Sequence, residues 1–347
     1  MMKWTKYYSV CELPEKCWDR VSPDNICLSS KFMEVSESTN PQSKYIYYVG
    51  SMDDKIIAIG FAYIKTFNLI PLLSKWINSG PSVLMTGTYE TYGRHYWYDK
   101  KYFNEQTFIY ELYRIIQKEK TNIIIFRDYV QNNLDITDYT FFKNNNFCWI
   151  KKYAVSYINL SGDITSLDLF LKGIKKKHRN FYRKILRERE LNSVHINHVY
   201  DYMEIVEYLY PLYLNVNNKA KEYHTQPFPV VFFENLKKLL VNNVLVITMN
   251  VKNKIIGFVL LIVGKNEVIP FLMGMDYNYR SCYIWQNLTI ESVRYAINQK
   301  KGRIDLGLTN YEIKKRLGAV KYDINMFARF KNPFLNLLFN KYLSKLI

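Results

Sequence analysis

One pattern occurs twice in this chain, and it limits the possible folds more than any other feature. Near residue 44, KYIYYVG leads through SMDDK into IIAIGFAYIKT; near residue 244, VLVITMN leads through VKNK into IIGFVLLIV. Each is a pair of β-branched and aromatic runs separated by a short polar turn, the signature of an antiparallel hairpin. The turns are alike residue by residue, Asp54-Lys55-Ile56-Ile57-Ala58-Ile59-Gly60 beside Asn253-Lys254-Ile255-Ile256-Gly257-Phe258. The same order of elements follows both hairpins. In the first half a strand is expected over Gly80–Tyr92, then an aromatic loop, then a helix from Asn104 to Lys118 with Phe108, Leu112 and Ile115 on one face. The buried strand NIIIFRDYV follows, and FFKNNNFCWI turns into a further strand. In the second half EVIPFLMGMD is the strand, WQNLTIESVRYAINQ the helix and RIDLGL the last strand. A repeated strand-rich unit with intervening helices predicts a duplicated α/β architecture of mixed sheets flanked by helices. The expected domains are residues 1–158 and 159–347, each long enough to bury its own core.

Helical segments fill the flanks. Ser29–Ser36 places Phe32, Met33 and Val35 on one side. SGDITSLDLFLKGI opens the second half with capping residues, and further helices are expected over Tyr202–Asn215 and Phe232–Leu240. The tail NPFLNLLFNKYLSKLI starts at a proline and spaces Leu335, Leu338, Phe339, Tyr342 and Leu346 as one helical face, with Lys341 and Lys345 outside it. That face is expected to pack on its own domain or on a second subunit, and a membrane surface is the alternative.

Composition excludes several classes. Hydrophobic residues make up 48% and charged residues 23%, as in globular proteins. No apolar run approaches the ~20 residues of a membrane span, and MMKWTKYYSV lacks the apolar centre of a secretory signal. A cytoplasmic location is expected, with peripheral contact at the inner membrane face left open. The five cysteines, Cys11, Cys17, Cys27, Cys148 and Cys282, show neither disulfide nor zinc spacing. His195 and His198 lie three apart without companions that would complete a metal site. The net charge of +17 attracts anionic partners such as nucleic acid, nucleotides or acidic lipid.

Two stretches concentrate that charge. KKKHRNFYRKILRERE (Lys175–Glu190) reads as a basic amphipathic helix with Phe181, Ile185 and Leu186 as its apolar stripe, suited to phosphate contact or to a membrane surface. KKGRIDLGLTNYEIKKRLGAVK (Lys300–Lys321) reads as a short buried strand that runs through Gly307 into a helical turn carrying Lys314, Lys315 and Arg316. In open α/β sheets, ligands gather at the carboxyl ends of strands.

Hairpin, strand, loop, helix and strand is also the core order of the GNAT acyltransferase fold. The tandem arrangement resembles the FemAB/FemX superfamily, with its peptidoglycan biosynthesis/recognition and BioF2-like acetyltransferase relatives. KKKHRNFYRKILRE (Lys175–Glu188), IIFRDY (Ile124–Tyr129) and RIDLGLTNYEIKKRLGA (Arg303–Ala319) carry the likeness, which extends over essentially the whole chain. It implies two tandem GNAT-like (acyl-CoA N-acyltransferase) domains, the second binding the donor and the first degenerate, structural or acceptor-binding. It also implies transfer of an acyl or aminoacyl group to a small-molecule or peptide amine, in cell-envelope or specialised-metabolite biosynthesis. No tightly bound cofactor or metal is implied; the donor, an acyl-CoA, an acyl-carrier protein or an aminoacyl-tRNA, acts as co-substrate. The family's functional lysine falls on Lys314. The loop that holds a donor diphosphate in GNAT domains falls on Tyr277–Tyr283, which has no glycine, and this puts coenzyme A in question.

Acyl transfer to an amine needs a positive group near the carbonyl oxygen and an acceptor for the amine's proton. Lys314 is the candidate for the first. Asp276 and Glu312 are candidates for the second, and Tyr311 for protonating the leaving group. Arg280, Lys175, Lys176, Lys177, His178, Arg179 and Arg183 are assigned to donor phosphates. A non-catalytic basic protein that binds RNA, a carrier protein or a membrane surface is the alternative.

Overall fold

Both hairpins form, and for the same backbone reason. Asp53 and Asp54 in the first turn have φ of 49° and 59°, and Lys252 and Asn253 in the second have 48° and 63°. Paired left-handed residues give a two-residue turn the twist of its flanking strands. The structure is a computed structural model that describes residues 2–343 except 15, 67–79, 89, 131–138, 161, 221–225 and 309.

The chain forms two compact units, one of Met1–Pro23, Cys27–Tyr153 and Tyr322–Ile347, the other of Asp24–Ile26 and Ala154–Lys321. The first holds β1 (Lys3–Tyr7), α1 (Ser30–Thr39), β2 (Lys44–Met52), β3 (Lys55–Thr66), β4 (Ser82–Met85), β5 (Trp97–Tyr98), α2 (Glu105–Ile116), β6 (Ile123–Val130) and α3 (Thr140–Asn144). Within β7 (Cys148–Asn159) the chain passes into the second unit. There follow α4 (Leu167–Gly173), α5 (Lys176–Leu191), β8 (His195–Val199), α6 (Val206–Lys219), α7 (Val230–Leu240), β9 (Val244–Val251), β10 (Lys254–Val263), β11 (Glu267–Met275), α8 (Ile284–Asn298), β12 (Arg303–Leu308) and α9 (Tyr311–Arg316). β13 (Val320–Phe330) returns to the first unit, and α10 (Pro333–Leu343) follows it.

The first unit's sheet runs β1-β2-β3-β4-β6-β13, with β5 on β3. One face is packed by α2 and α3, where Phe108, Leu112, Phe126, Phe142 and Phe147 are buried and Phe142 stacks on Phe327 of β13 at 3.9 Å. The other face holds Trp18, Met33, Tyr47 and Phe61. The second unit's sheet runs β7-β12-β11-β10-β9-β8. Its core joins β9, β10 and β11 to α4, α5 and α8 through residues such as Ile247, Val259, Ile185 and Leu288. This is the expected α/β class: two mixed sheets with helices on their faces.

Tyr322 onward belongs with the first unit, whereas the repeat placed it in the second. The cause is β13, which pairs antiparallel with β6 from Ile324↔Val130 to Phe330↔Ile123. A register shift between Asn325 and Phe327 buries Ile324, Asn325, Phe327 and Ala328, so the period-two alternation that marks a strand is absent. The expected boundary at 158/159 falls inside β7, which spans the passage between units. β1 and β8 also went unread, being short and mostly polar. In α10 the expected inward residue Leu335 is exposed and Asn336 is buried; Lys345 and Leu346 lie outside the described residues.

The strand expected over Gly80–Tyr92 stops at Met85. Thr86, Gly87, Thr88, Glu90 and Thr91 are buried without being strand, so their backbone needs side-chain partners. Arg127 supplies them, donating Nη1 to Thr88 O at 2.7 Å and Nη2 to Thr91 O at 3.4 Å, while its Nε lies 2.7 Å from Asp128 Oδ2. Fully buried His95 donates Nδ1–H to Gly93 O at 2.9 Å, which leaves Nε2 facing the Thr88 and Thr91 hydroxyls as acceptor. The charged end of IIIFRDY therefore fills its own unit.

Burial pushes the His95 imidazole down to about 3, so the native chain keeps it neutral where the unfolded chain protonates near 6.5. The unfolded chain then binds the extra proton below that value, and His95 costs stability as pH falls from about 6.5 toward 3. Burial raises Glu90 and Asp128, which acts in the opposite sense. The expected result is therefore differential: between about pH 7 and about pH 5 wild type loses stability relative to His95→Gln, measured by urea denaturation.

Candidate active site

β11 and β12 are the only parallel neighbours in the second unit's sheet among the described residues. Their ladder consists of two pairs, Glu267↔Arg303 and Val268↔Ile304. Its closed end is clamped by a side-chain pair: Arg303 Nε lies 2.7 Å and Nη2 2.5 Å from Glu267 Oε2, and the guanidinium rests over the Tyr157 ring at 5.0 Å. Beyond Val268, β11 continues to pair with β10 as far as Met275, and β12 pairs with β7 as far as Leu308. Each strand thus keeps its outer partner, and beyond Val268 no backbone pairing joins β11 to β12 among the described residues. A short extended chain can hydrogen-bond to an unpaired strand edge.

At the carboxyl end of β11 the chain enters a 3-10 segment, Tyr277–Cys282, and then α8. Asp276 caps the segment, its Oδ1 accepting from Asn278 N at 3.0 Å. Tyr283, between the 3-10 segment and α8, takes the left-handed conformation that glycine most easily adopts, with φ 49° and ψ 48°. Buried Asn287 holds it there by donating Nδ2 to the carbonyls of Cys282 and Tyr283 at 2.9 and 3.3 Å. The first turn of α8 has no side-chain cap and no acidic residue, so its N–H groups and the positive end of its dipole remain available to an anion. The helix at the same place in the first unit differs. Asn104 and Thr107 form a capping box on α2, and Glu105 occupies its first turn.

The side chains expected to do chemistry have distinct surroundings. Lys314 on α9 is buried, at 5% exposure. Its ammonium donates to Gly307 O at 3.0 Å and Leu308 O at 2.5 Å, at the carboxyl end of β12. Gly307 has φ 69°, and its N–H donates to Asp305 Oδ1 at 2.8 Å, so the strand end is fixed from both sides. The Tyr311 hydroxyl is engaged twice by one residue of β7, donating to Ala154 O and accepting from Ala154 N, both at 2.9 Å. Lys321 sits 5.0 Å from the Tyr311 ring centre. Glu312 is exposed in the first turn of α9. Asp276 is held by its cap and by Lys254 Nζ at 2.9 Å. That ammonium keeps its carboxyl below the usual range.

The cations assigned to donor phosphates divide into two groups. Arg183 pairs with Asp168 at 2.6 Å, and Arg179 Nη1 donates to Lys172 O at 3.0 Å, which ties α5 to α4. Lys175, Lys176 and Lys177 are exposed at the amino end of α5, followed by half-buried His178. This end lies beside α9: Ile174 packs against Gly318, and Arg316 acts electrostatically on Tyr182. Phe181 meets the Tyr283 ring edge-on at 5.9 Å, so α5 also borders the loop that carries exposed Arg280, 6.0 Å from the Tyr277 ring centre. Sequence reasoning missed the Arg303–Glu267 clamp and the Asn287 brace. An amide in the first turn of α8 was a readable signal for the brace; nothing in the sequence links residues 267 and 303. No cluster of metal-ligating side chains occurs among the described residues.

Comparison with known proteins agrees with this geometry. The family model for an acetyltransferase (GNAT) domain matches residues 175–315. No curated protein sequence matches the chain. Among solved structures, FemX is similar over 99% of both chains, with a TM-score of 0.60 at 11% identity. L-PGS from Bacillus licheniformis is similar over 94% of this chain and 95% of its own, with a TM-score of 0.57 at 12% identity. A tandem GNAT protein from the clavulanic acid biosynthesis pathway covers 96% and 99%, with a TM-score of 0.57 at 7% identity. The fold is the tandem GNAT, FemX-like one implied by the motifs in the sequence.

Asp276 has a pH signature that separates a cap from a proton carrier. Its folded pKa is depressed, so its pairing stabilises the chain above the ordinary carboxylate value of about 3.9 and the benefit disappears as pH falls through the lowered value. Asp276→Asn keeps an oxygen for the cap and loses the Lys254 pair. Wild type should be slightly more stable than the variant near pH 7, and the difference should shrink as pH falls through the lowered value, as read by chemical denaturation.

Proposed function

We propose that the second unit is an acyltransferase that moves an acyl or aminoacyl group from an activated donor, a thioester or an aminoacyl-tRNA, onto an amine. The observation that carries this reading is the short β11–β12 ladder with the uncapped amino end of α8 beside it. The donor's extended arm lies along the open strand edges, and its phosphates meet the α8 N–H groups, Arg280 and Lys175–Lys177. The matched GNAT family model supports the same placement.

In the transfer step the amine nitrogen attacks the donor carbonyl and forms a C–N bond. The C–S or C–O bond to the donor breaks, and the leaving thiol or hydroxyl takes up a proton. Lys314, anchored at the end of β12, supplies positive charge as the carbonyl oxygen becomes negative. Of the two carboxylates, Glu312 is the better proton acceptor, because Asp276 is occupied as a cap and held ionised by Lys254. Tyr311, with its hydroxyl spent on Ala154, is a brace between α9 and β7 and not the acid. The first unit, whose matching loop is filled by Arg127 and His95 and whose α2 is capped, takes the structural or acceptor-binding role. A second reading, a binding protein without catalysis, draws on the backbone engagement of Lys314 and Tyr311.

Assays of the purified chain with labelled aminoacyl-tRNA, acyl-coenzyme A and acyl-carrier protein, followed by mass spectrometry of amine products, decide between them. Lys314→Met is expected to lower turnover about a hundredfold or more. It is also expected to cost about 1–2 kcal/mol of stability, because two half-buried carbonyls lose their charged donor. Glu312→Gln should lower turnover, while Asp276→Asn keeps it within about threefold. Lys314→Met with full turnover removes the assigned role, and no product from any donor favours the binding protein. A tRNA donor further predicts loss of activity on ribonuclease treatment and steep weakening with salt.

A further inference from the structure

α10 is a helix turned inside out. Asn332 starts it, with Oδ1 accepting from Phe334 N at 3.0 Å and Leu335 N at 3.1 Å. The side that meets the first unit is largely polar. Asn336, 6% exposed, donates Nδ2 to Asn146 O at 2.9 Å and accepts from Phe330 N at 3.0 Å, and Asn340 donates to the same Asn146 carbonyl at 3.4 Å. Phe339 adds a ring contact with Phe330 at 4.8 Å. The side facing solvent is apolar: Phe334 and Leu337 are each 68% exposed and Leu335 is 47% exposed. A helix that had only its own unit to cover would place these groups the other way round. Three large apolar side chains adjacent on one short helix are a patch, unlike the single exposed leucines common on any surface.

The surroundings indicate what covers the patch. Lys341 is exposed on the helix itself. Lys331, just before it, donates to the carbonyls of Gln117 and Glu119, which brings exposed Lys118 and Lys120 beside its foot. Glu119 is the only carboxylate in residues 117–120 and 329–341; it is buried, and Lys6 and Lys44 neutralise it. The apolar patch is therefore rimmed by cations with no exposed counter-charge from the same segments. A second copy of this face would set lysine against lysine. An anionic sheet with an apolar interior satisfies both parts of it.

We propose that α10 docks the chain on an anionic lipid bilayer, with Phe334, Leu335 and Leu337 entering the headgroup boundary and Lys118, Lys120 and Lys341 meeting lipid phosphates. The inference is independent of the acyl-transfer reading. The test is co-sedimentation of the full chain with vesicles of phosphatidylcholine alone or mixed with phosphatidylglycerol. Binding is expected to the mixed vesicles only, to weaken with salt, and to fall at least about tenfold in Phe334→Ser/Leu337→Ser. Lys118→Glu/Lys120→Glu/Lys341→Glu should give a similar loss with the apolar face intact, and thermal melts establish that both variants are folded. Wild type that stays in the supernatant with mixed vesicles overturns the proposal, as does sedimentation of both variants like wild type. A lipid-free dimer that Phe334→Ser/Leu337→Ser converts to monomer also overturns it, in favour of a second copy as the occupant.

Discussion

The ion pair between Arg303 and Glu267 decides where the second unit's sheet is closed and where it is open. Glu267 is almost wholly buried, and a carboxylate there without its guanidinium would cost about 3–5 kcal/mol. The pair is made at the first residue of each strand, so the clamp cannot extend the ladder; it fixes only the point from which β11 and β12 diverge in their pairing. Asn266 reinforces that point. Its carbonyl accepts from Gly302 N at 3.0 Å and Arg303 N at 3.2 Å, and a Cβ on Gly302 would meet its side chain at 2.6 Å. Beyond it lie the carboxyl end of β11, the Tyr277–Cys282 segment, the start of α8, and the end of β12 anchored by Lys314.

The repeat of hairpin, strand, helix and strand was legible because it rests on local signals. Alternating apolar residues, a two-residue polar turn and a 3.6-residue stripe each act within a few neighbours, and both hairpins, α2, β6, α8 and β12 stand where those signals put them. β13 was not legible, since its register shift buries Asn325 beside Ile324 and its partner β6 lies almost two hundred residues earlier. With β13 misread, the tail was assigned to the wrong unit. The site follows the same division. Lys314 was singled out through a motif, but its burial near Gly307 and Leu308, the double engagement of Tyr311 by Ala154, and the pairing of Asp276 with Lys254 are tertiary contacts. Those contacts hold Lys314 at the end of β12, tie Tyr311 to β7 and engage Asp276 as a cap.

The two units also show how little sequence separates an uncapped helix end from a capped one. On α2 the Asn104–Thr107 capping box satisfies the first-turn N–H groups, and Glu105, paired with Arg94 at 3.2 Å, brings negative charge to the positive end of the dipole. A cap of that kind is worth about 1 kcal/mol, and an acid in the first turn adds about 0.3–1 kcal/mol. α8 forgoes both and begins on a tyrosine held in the left-handed region by Asn287. A helix end that only had to be stable would recover that energy with a serine or aspartate at the cap, which needs a single substitution. Because local propensity and fold normally agree, a long buried helix that keeps its amino end uncapped, next to the loop that carries exposed Arg280, is where the chain departs from its own stability rules. Under the proposed acyl-transfer reading, a donor's phosphates would supply the negative charge that makes that departure favourable.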